Sequence, residues 1–202
     1  MQVTGDFMLK TTSILLQEYK DYADTYGKIR RLCQEGALFP LIRGLYETDG
    51  NLPGYLLSSA IYGPSYLSFD YALSRHGLIL ERVYGYSAAT CGKGRRKSYF
   101  NHFGNYTYQD VPTRVFSLGV ELLEEQGYYY YLATAEKALC DKLFTIERMG
   151  SIRDVEVLLW EDLRIDRDEL RQFDLKLLEQ IAAIYHCQNV NLLEKILRGL
   201  KC

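Results

Sequence analysis

The sequence predicts an α+β protein. A small N-terminal head of two helices and a hairpin precedes a mixed α/β body with an antiparallel sheet and a helical C-terminus. Three observations predict it. Two short stretches of helical pattern, Thr12–Tyr19 and a capped one reaching Glu35, open the chain. From about Leu80 to Ala133 the texture is rich in Tyr, Val, Phe and Thr, punctuated by Gly, Asn and Pro-Thr. From Ser151 to Lys201 the pattern is helical again.

Taken in order, Thr12–Tyr19 reads as a short helix around Ile14, Leu15 and Leu16. Asp24 or Thr25 then caps a second helix reaching Glu35, with Ile29, Leu32 and Cys33 as its inward stripe. Gly36 stands where a left-handed C-terminal residue belongs. Residues 37–48 change to a two-residue period and read as a hairpin turning at Arg43-Gly44, with Pro40 suited to an edge strand. The turn-rich Asp49–Pro53 stretch marks a boundary, giving a head over 1–48 and a body over 54–202. In the body, Gly54–Tyr62 reads as a short helix, and Ser68 caps the next one, which ends at Gly77. Candidate strands are Arg82–Ala89, Lys97–Phe100, Tyr106–Val111, Arg114–Ser117 and Tyr128–Leu132. Thr134 caps a helix to about Thr145, read as burying Ala138 and Leu139 and solvating Lys137 and Lys142. Four helices follow, over about 151–162, 166–172, 174–186 and 190–200.

The chain has 202 residues, 48% hydrophobic and 25% charged, with a formal net charge of −2. This composition suffices for a core and argues against a uniformly basic nucleic-acid-binding molecule. No run of 18 apolar residues occurs, and Met1–Lys10 lacks the pattern of a signal peptide, so a cytoplasmic protein is expected. Cys33, Cys91, Cys140, Cys187 and Cys202 are scattered without zinc spacing, which suits reduced thiols. His76, His102 and His186 join no nucleophile, and HExxH, GxSxG, GxGxxG and GxxxxGK[ST] motifs are missing. No enzyme activity, cofactor or metal is expected on these grounds.

Two basic constellations remain. Two helices followed by a hairpin is the order of a helix-turn-helix with a wing. Its second helix offers Thr25, Lys28, Arg30, Arg31 and Gln34, and Arg43 sits at the hairpin tip. Arg and Lys fit phosphates, and Arg and Gln can read base edges in a major groove. Residues 1–46 carry six Lys/Arg and five Asp/Glu, so a structural helical pair with solvated charges would look similar. The second constellation is Gly92–Lys97. Residues 82–114 hold six Lys/Arg against Asp110 alone, and Lys93, Arg95, Arg96 and Lys97 form the densest positive cluster. A loop touching nucleic acid or an acidic partner, or a merely solvated loop, fits this pattern.

Three stretches go further: Glu35-Gly36-Ala37-Leu38 with Leu41–Tyr46; Tyr62–Ser68 with Ala72-Leu73 and His76–Ile79; and Ala135–Leu143. In this order and spacing the chain resembles the AbiEi family, antitoxins of abortive-infection, type IV toxin–antitoxin systems. The likeness spans roughly residues 25–146, and the GPSYLS and AEKALCDKL stretches are its specific parts. It implies an N-terminal winged helix that binds operator DNA and represses its own operon. It also implies a C-terminal domain that counters a nucleotidyltransferase-type toxin encoded nearby. Pattern residues of the family fall on Arg43, Gly44, Tyr46, Gly63, Pro64, Ser65, Gly77, Glu136, Lys137 and Asp141. Longer members carry a further helix ahead of the second helix of this chain, so the head is read as a reduced form. A chain that binds only its partner protein, without independent DNA binding, is the alternative.

Overall fold

A computed structural model describes residues 9–81 and 83–201. Met1 to Met8, Arg82 and Cys202, and with them most of the leader reading and the start of the first body strand, lie outside the described residues.

The head runs β1 (Lys10–Thr11), α1 (Thr12–Glu18), α2 (Thr25–Gln34), β2 (Phe39–Ile42) and β3 (Leu45–Glu47). The three strands form one sheet in the order β1-β3-β2, both pairs antiparallel. The β1 strand was not foreseen, since two residues are too few to show a period. Asp24 Oδ1 accepts the Gly27 amide at 2.8 Å and starts α2. Gly36 ends it at φ 70°, while the Ala37 amide reaches back to the Leu32 carbonyl at 2.9 Å. Leu15, Ile29 and Leu38 form a small core beneath.

The body follows through a 3₁₀ turn (Gly54–Leu57), α3 (Ser58–Ile61), β4 (Tyr66–Leu67) and α4 (Phe69–Arg75). Then come β5 (Gly85–Thr90), β6 (Lys97–Asn101), β7 (Gly104–Asp110), β8 (Val120–Glu125) and β9 (Tyr128–Ala133). They form a six-stranded sheet in the order β6-β7-β5-β4-β9-β8. The sheet is mixed, which corrects the antiparallel expectation. Parallel pairing joins β5 to β7 and β4 to β9; the other pairs are antiparallel. Local periodicity gives strands but not partners, and β7 returns beside β5 only after the β6 hairpin. Residues 114–117, expected as a strand, instead lie at a 3₁₀ turn (Thr113–Val115). The β8 strand was missed. Its partner β9 is joined through Gln126 (φ 54°) and Gly127 (φ 78°), a two-residue turn with both dihedrals positive.

Thr134 caps α5 (Ala135–Phe144) by accepting the Lys137 amide. The C-terminal part is α6 (Ile152–Val157) continuing as a π-helical turn (Leu158–Asp162), then α7 (Arg167–Arg171), α8 (Leu175–Tyr185) and α9 (Gln188–Lys201). Asn189 ties α9 to the end of α5. Its amide donates to the carbonyls of Leu143, Ile146 and Glu147, and its oxygen accepts the Met149 amide. Cross-strand pairing sorts the sheet's side chains. One face carries Tyr86, Tyr106, Tyr108 and Tyr130, packed on the Gly54–Leu57 turn and α3. The other meets α5 through Tyr66.

Head and body share contacts. Leu41 and Leu52 join the main core. Asn101 Nδ2 donates to the Leu41 carbonyl at 3.2 Å, His102 Nε2 lies 2.8 Å from the Gly50 carbonyl, and the Phe39 ring lies against His102 at a tilt of 36°. Fully buried Glu47 accepts the Tyr128 hydroxyl at 2.8 Å together with the Thr48 and Asp49 amides.

Candidate nucleic-acid interface

On α2 the Ile29 face packs inward, and Arg30, Arg31 and Gln34 stand exposed on the opposite side. Spacings of three and four bring these side chains together on one helical face. Tyr26, 64% exposed, extends the row one turn towards the N-terminus. Tyr26 stands i, i+4 to Arg30, a relation legible in the sequence, and was not among the expected contact residues.

Two residues expected on this surface have other employment. The Thr25 hydroxyl donates to the Tyr19 and Tyr22 carbonyls and fastens the inter-helix turn. The Lys28 ammonium lies over the Tyr22 ring at 5.4 Å from its centre. Arg43 is exposed at the hairpin tip, but the tip lies against the start of α1: the Thr12 amide donates to the Gly44 carbonyl at 2.9 Å. Gly44 has φ 85°, which the two-residue reversal requires.

The basic body loop is built around Asp110. Its Oδ2 accepts the amides of Lys93 and Gly94 at 2.7 Å each, and its Oδ1 accepts the Thr90 hydroxyl. Burial opposes ionisation there. The Thr90 hydroxyl and the two amides outweigh it and hold the carboxyl below its ordinary value. Lys93 turns back, donating to the Gly63 carbonyl at 2.9 Å and lying over the Tyr62 ring. Its charge therefore serves the loop's own anchorage. Arg95 and Arg96 are exposed, and Lys97 opens β6. Arg96 and Lys97 border a cleft of about 410 Å³ shared with Thr107, Gln109 and the Lys142–Asp70 ion pair.

The head and this loop lie at opposite ends of the edge strand β6. Lys97 adjoins the loop and Asn101 adjoins the head. Four residue steps of strand separate them, about 13 Å. The structure thus brings Arg30, Arg31 and Gln34 together on α2, groups Arg95, Arg96 and Lys97 at the far end of β6, and diverts Thr25, Lys28 and Lys93 into local contacts.

The conspicuous motif stretches come together elsewhere, in the interior. Asp141 of α5 accepts the Tyr66 hydroxyl at 2.8 Å, the Ser68 hydroxyl at 2.6 Å, the Tyr185 hydroxyl at 2.8 Å and the Lys137 ammonium at 2.7 Å. Lys137 also lies 4.9 Å from the Tyr185 ring centre and 5.5 Å from that of Tyr66. Lys137 and Asp141 are both fully buried, which corrects the expectation of a solvated Lys137. Burial, then the Asp141 charge, push the Tyr66 and Tyr185 hydroxyls far above their ordinary values, so both act as donors. Glu136 faces the other way and accepts the amide of Asp174, the residue that caps α8, at 2.7 Å. These motif residues build the frame of the body.

Among the described residues, no His/Cys/Asp/Glu group is arranged to hold a metal, and no helix is long and apolar enough to cross a membrane. No protein-family model matches the chain, and no curated protein matches it.

Proposed function

We propose that this chain is a cytoplasmic DNA-binding regulator whose head is a reduced winged helix. In this reading α2 lies in a major groove, with Arg31 on a phosphate and Arg30 and Gln34 at base edges. The observation that carries the reading is the exposure of Arg30, Arg31 and Gln34 together on the α2 face opposite the Leu15/Ile29/Leu38 core. Arg95, Arg96 and Lys97, at the end of β6 away from the head, supply a second contact to the phosphate backbone. The target is the operator of the chain's own operon, and the body antagonises a nucleotidyltransferase-like toxin encoded nearby. That part rests on the resemblance of the GPSYLS and AEKALCDKL stretches to AbiEi antitoxins.

One observation favours a second reading, a protein-interaction module without DNA binding of its own. The hairpin tip is held against α1, and Lys28 is engaged by tyrosine rings, so the positive charge of the α2 face falls to Arg30 and Arg31. A gel shift with the DNA upstream of the chain's own gene separates the two. A discrete, salt-sensitive complex supports the first; none at low salt supports the second.

A further inference from the structure

Beside α5, on the β8–β9 side of the sheet, the body exposes a cluster of apolar side chains. Leu122 pairs with Tyr131 and Glu124 with Tyr129 across the hairpin, so all four share one face. Tyr129 is 65% exposed, Leu122 55% and Tyr131 47%. Grouped aromatic and aliphatic exposure of this kind marks interaction surfaces.

The same face opens into a pocket of about 300 Å³ bordered by Ser59, Pro64, Ser65, Tyr66, Phe116 and Tyr131. Ser65 is 4% exposed, and its hydroxyl has no hydrogen-bond partner among the described residues. A buried hydroxyl without a partner is costly, and a group entering the pocket can satisfy it. β8 is an edge strand of the sheet, so its outer amides and carbonyls have no neighbouring strand among the described residues. Glu121 and Glu124 stand exposed along it, and Glu125 faces Arg75 at 3.8 Å.

We propose that this trough docks an extended, basic segment of a protein partner. The segment adds as a strand to β8, lays lysine or arginine on the face of Glu121, and on the opposite face, that of Leu122 and Tyr131, seats an apolar side chain in the pocket beside Ser65. A second copy of the chain does not fit as the occupant. Two β8 strands side by side would set Glu121, Glu124 and Glu125 against the same acids, and the opposite edge, β6, is partly engaged by the head. The inference deepens the reading above by naming the face that receives the protein partner, and it rests on that reading for the partner's existence.

The test does not use that partner. ¹⁵N-labelled full-length chain is titrated with a capped hexapeptide alternating lysine with valine and phenylalanine, and separately with its glutamate counterpart. Saturable amide shifts confined to residues 59–66 and 117–133 are expected, with the basic peptide binding at least about tenfold tighter. Leu122→Ser with Tyr131→Ser, both at exposed positions, is expected to weaken binding about tenfold while leaving distant amide shifts in place. Equal affinity for both peptides, shifts mapping elsewhere, or no saturable shift would overturn the proposal. Sedimentation velocity showing a dimer abolished by the same double variant would overturn it too, by assigning the trough to a second copy. A chain that binds its operator yet fails this titration loses only this surface. A chain that passes it yet ignores the operator loses only the DNA reading.

Discussion

The Asp141 carboxylate and the Lys137 ammonium meet at 2.7 Å, one helical turn apart on α5, with neither side chain reaching solvent. The two partners are unequally supported. Asp141 has three further donors in Tyr66, Ser68 and Tyr185, whereas Lys137 has Asp141 and two tyrosine faces. Removing one member of a buried pair typically costs about 3–5 kcal/mol. Asp141→Asn should reach that range, because the ammonium stays buried without its counter-charge. Lys137→Met should cost less, because three hydroxyl donors still face Asp141. Urea unfolding of both variants checks the order, and a reversed order would contradict this account of the network.

The Asp110 loop carries a pH prediction. The Asp110 carboxyl is held below its ordinary value, so the folded state binds its proton less readily than the unfolded chain. Its contribution to stability is therefore present above the unfolded value, about 3.9, and is lost as pH falls through the lower folded value. Asp110→Asn should be less stable than wild type at pH 7, and the gap should close as acid protonates the wild-type carboxyl. Thermal melts from pH 7 down to pH 3 measure this. A gap that is constant or widens in acid would count against the assignment.

Glu47 and Tyr128 connect head and body. Tyr128→Phe removes one donor from a buried carboxylate that keeps the Thr48 and Asp49 amides. A loss of about 1–3 kcal/mol is expected, readable in chemical denaturation. A fragment of residues 54–202 keeps the six-stranded sheet and the helices on it, but loses Leu41, Leu52 and the Glu47 contact. We expect it to fold with a lower Tm than the full chain. If circular dichroism shows an unfolded fragment, the division at residues 49–53 is wrong.

Much of the local structure was legible because its causes are local. The Asp24 and Thr134 caps, the Gly36 terminus and the Arg43-Gly44 reversal each depend on neighbours within a few residues. The mixed sheet was not legible, since which strand lies beside which is settled by packing between distant segments. Nor was the fate of Lys137. Its i, i+4 relation to Asp141 stands in the sequence, but Tyr66, Ser68 and Tyr185 come from 75, 73 and 44 residues away. Charged residues on a helix read as solvent-facing until such partners are known. β8 was hidden by Glu121, Glu124 and Glu125, and the Gln126-Gly127 turn was its available signal. On the head, exposure of Arg30, Arg31 and Gln34 followed from the Ile29 stripe. The capture of Thr25 and Lys28 depended on how the inter-helix turn folds.

The central claim is that α2 presents a DNA-reading face. The most direct measurement is fluorescence anisotropy with labelled DNA from upstream of the chain's own gene, comparing wild type and Arg30→Ala with Arg31→Ala from about 50 to 200 mM salt. Both positions are exposed, so each change should alter stability by only about 0.5 kcal/mol or less. Wild type should bind with an affinity that falls steeply with salt. The double variant should bind at least about tenfold more weakly, with a salt slope smaller by about one to two. Wild-type binding that the double variant reproduces in both affinity and slope, or no binding by wild type at 50 mM salt, would contradict the account.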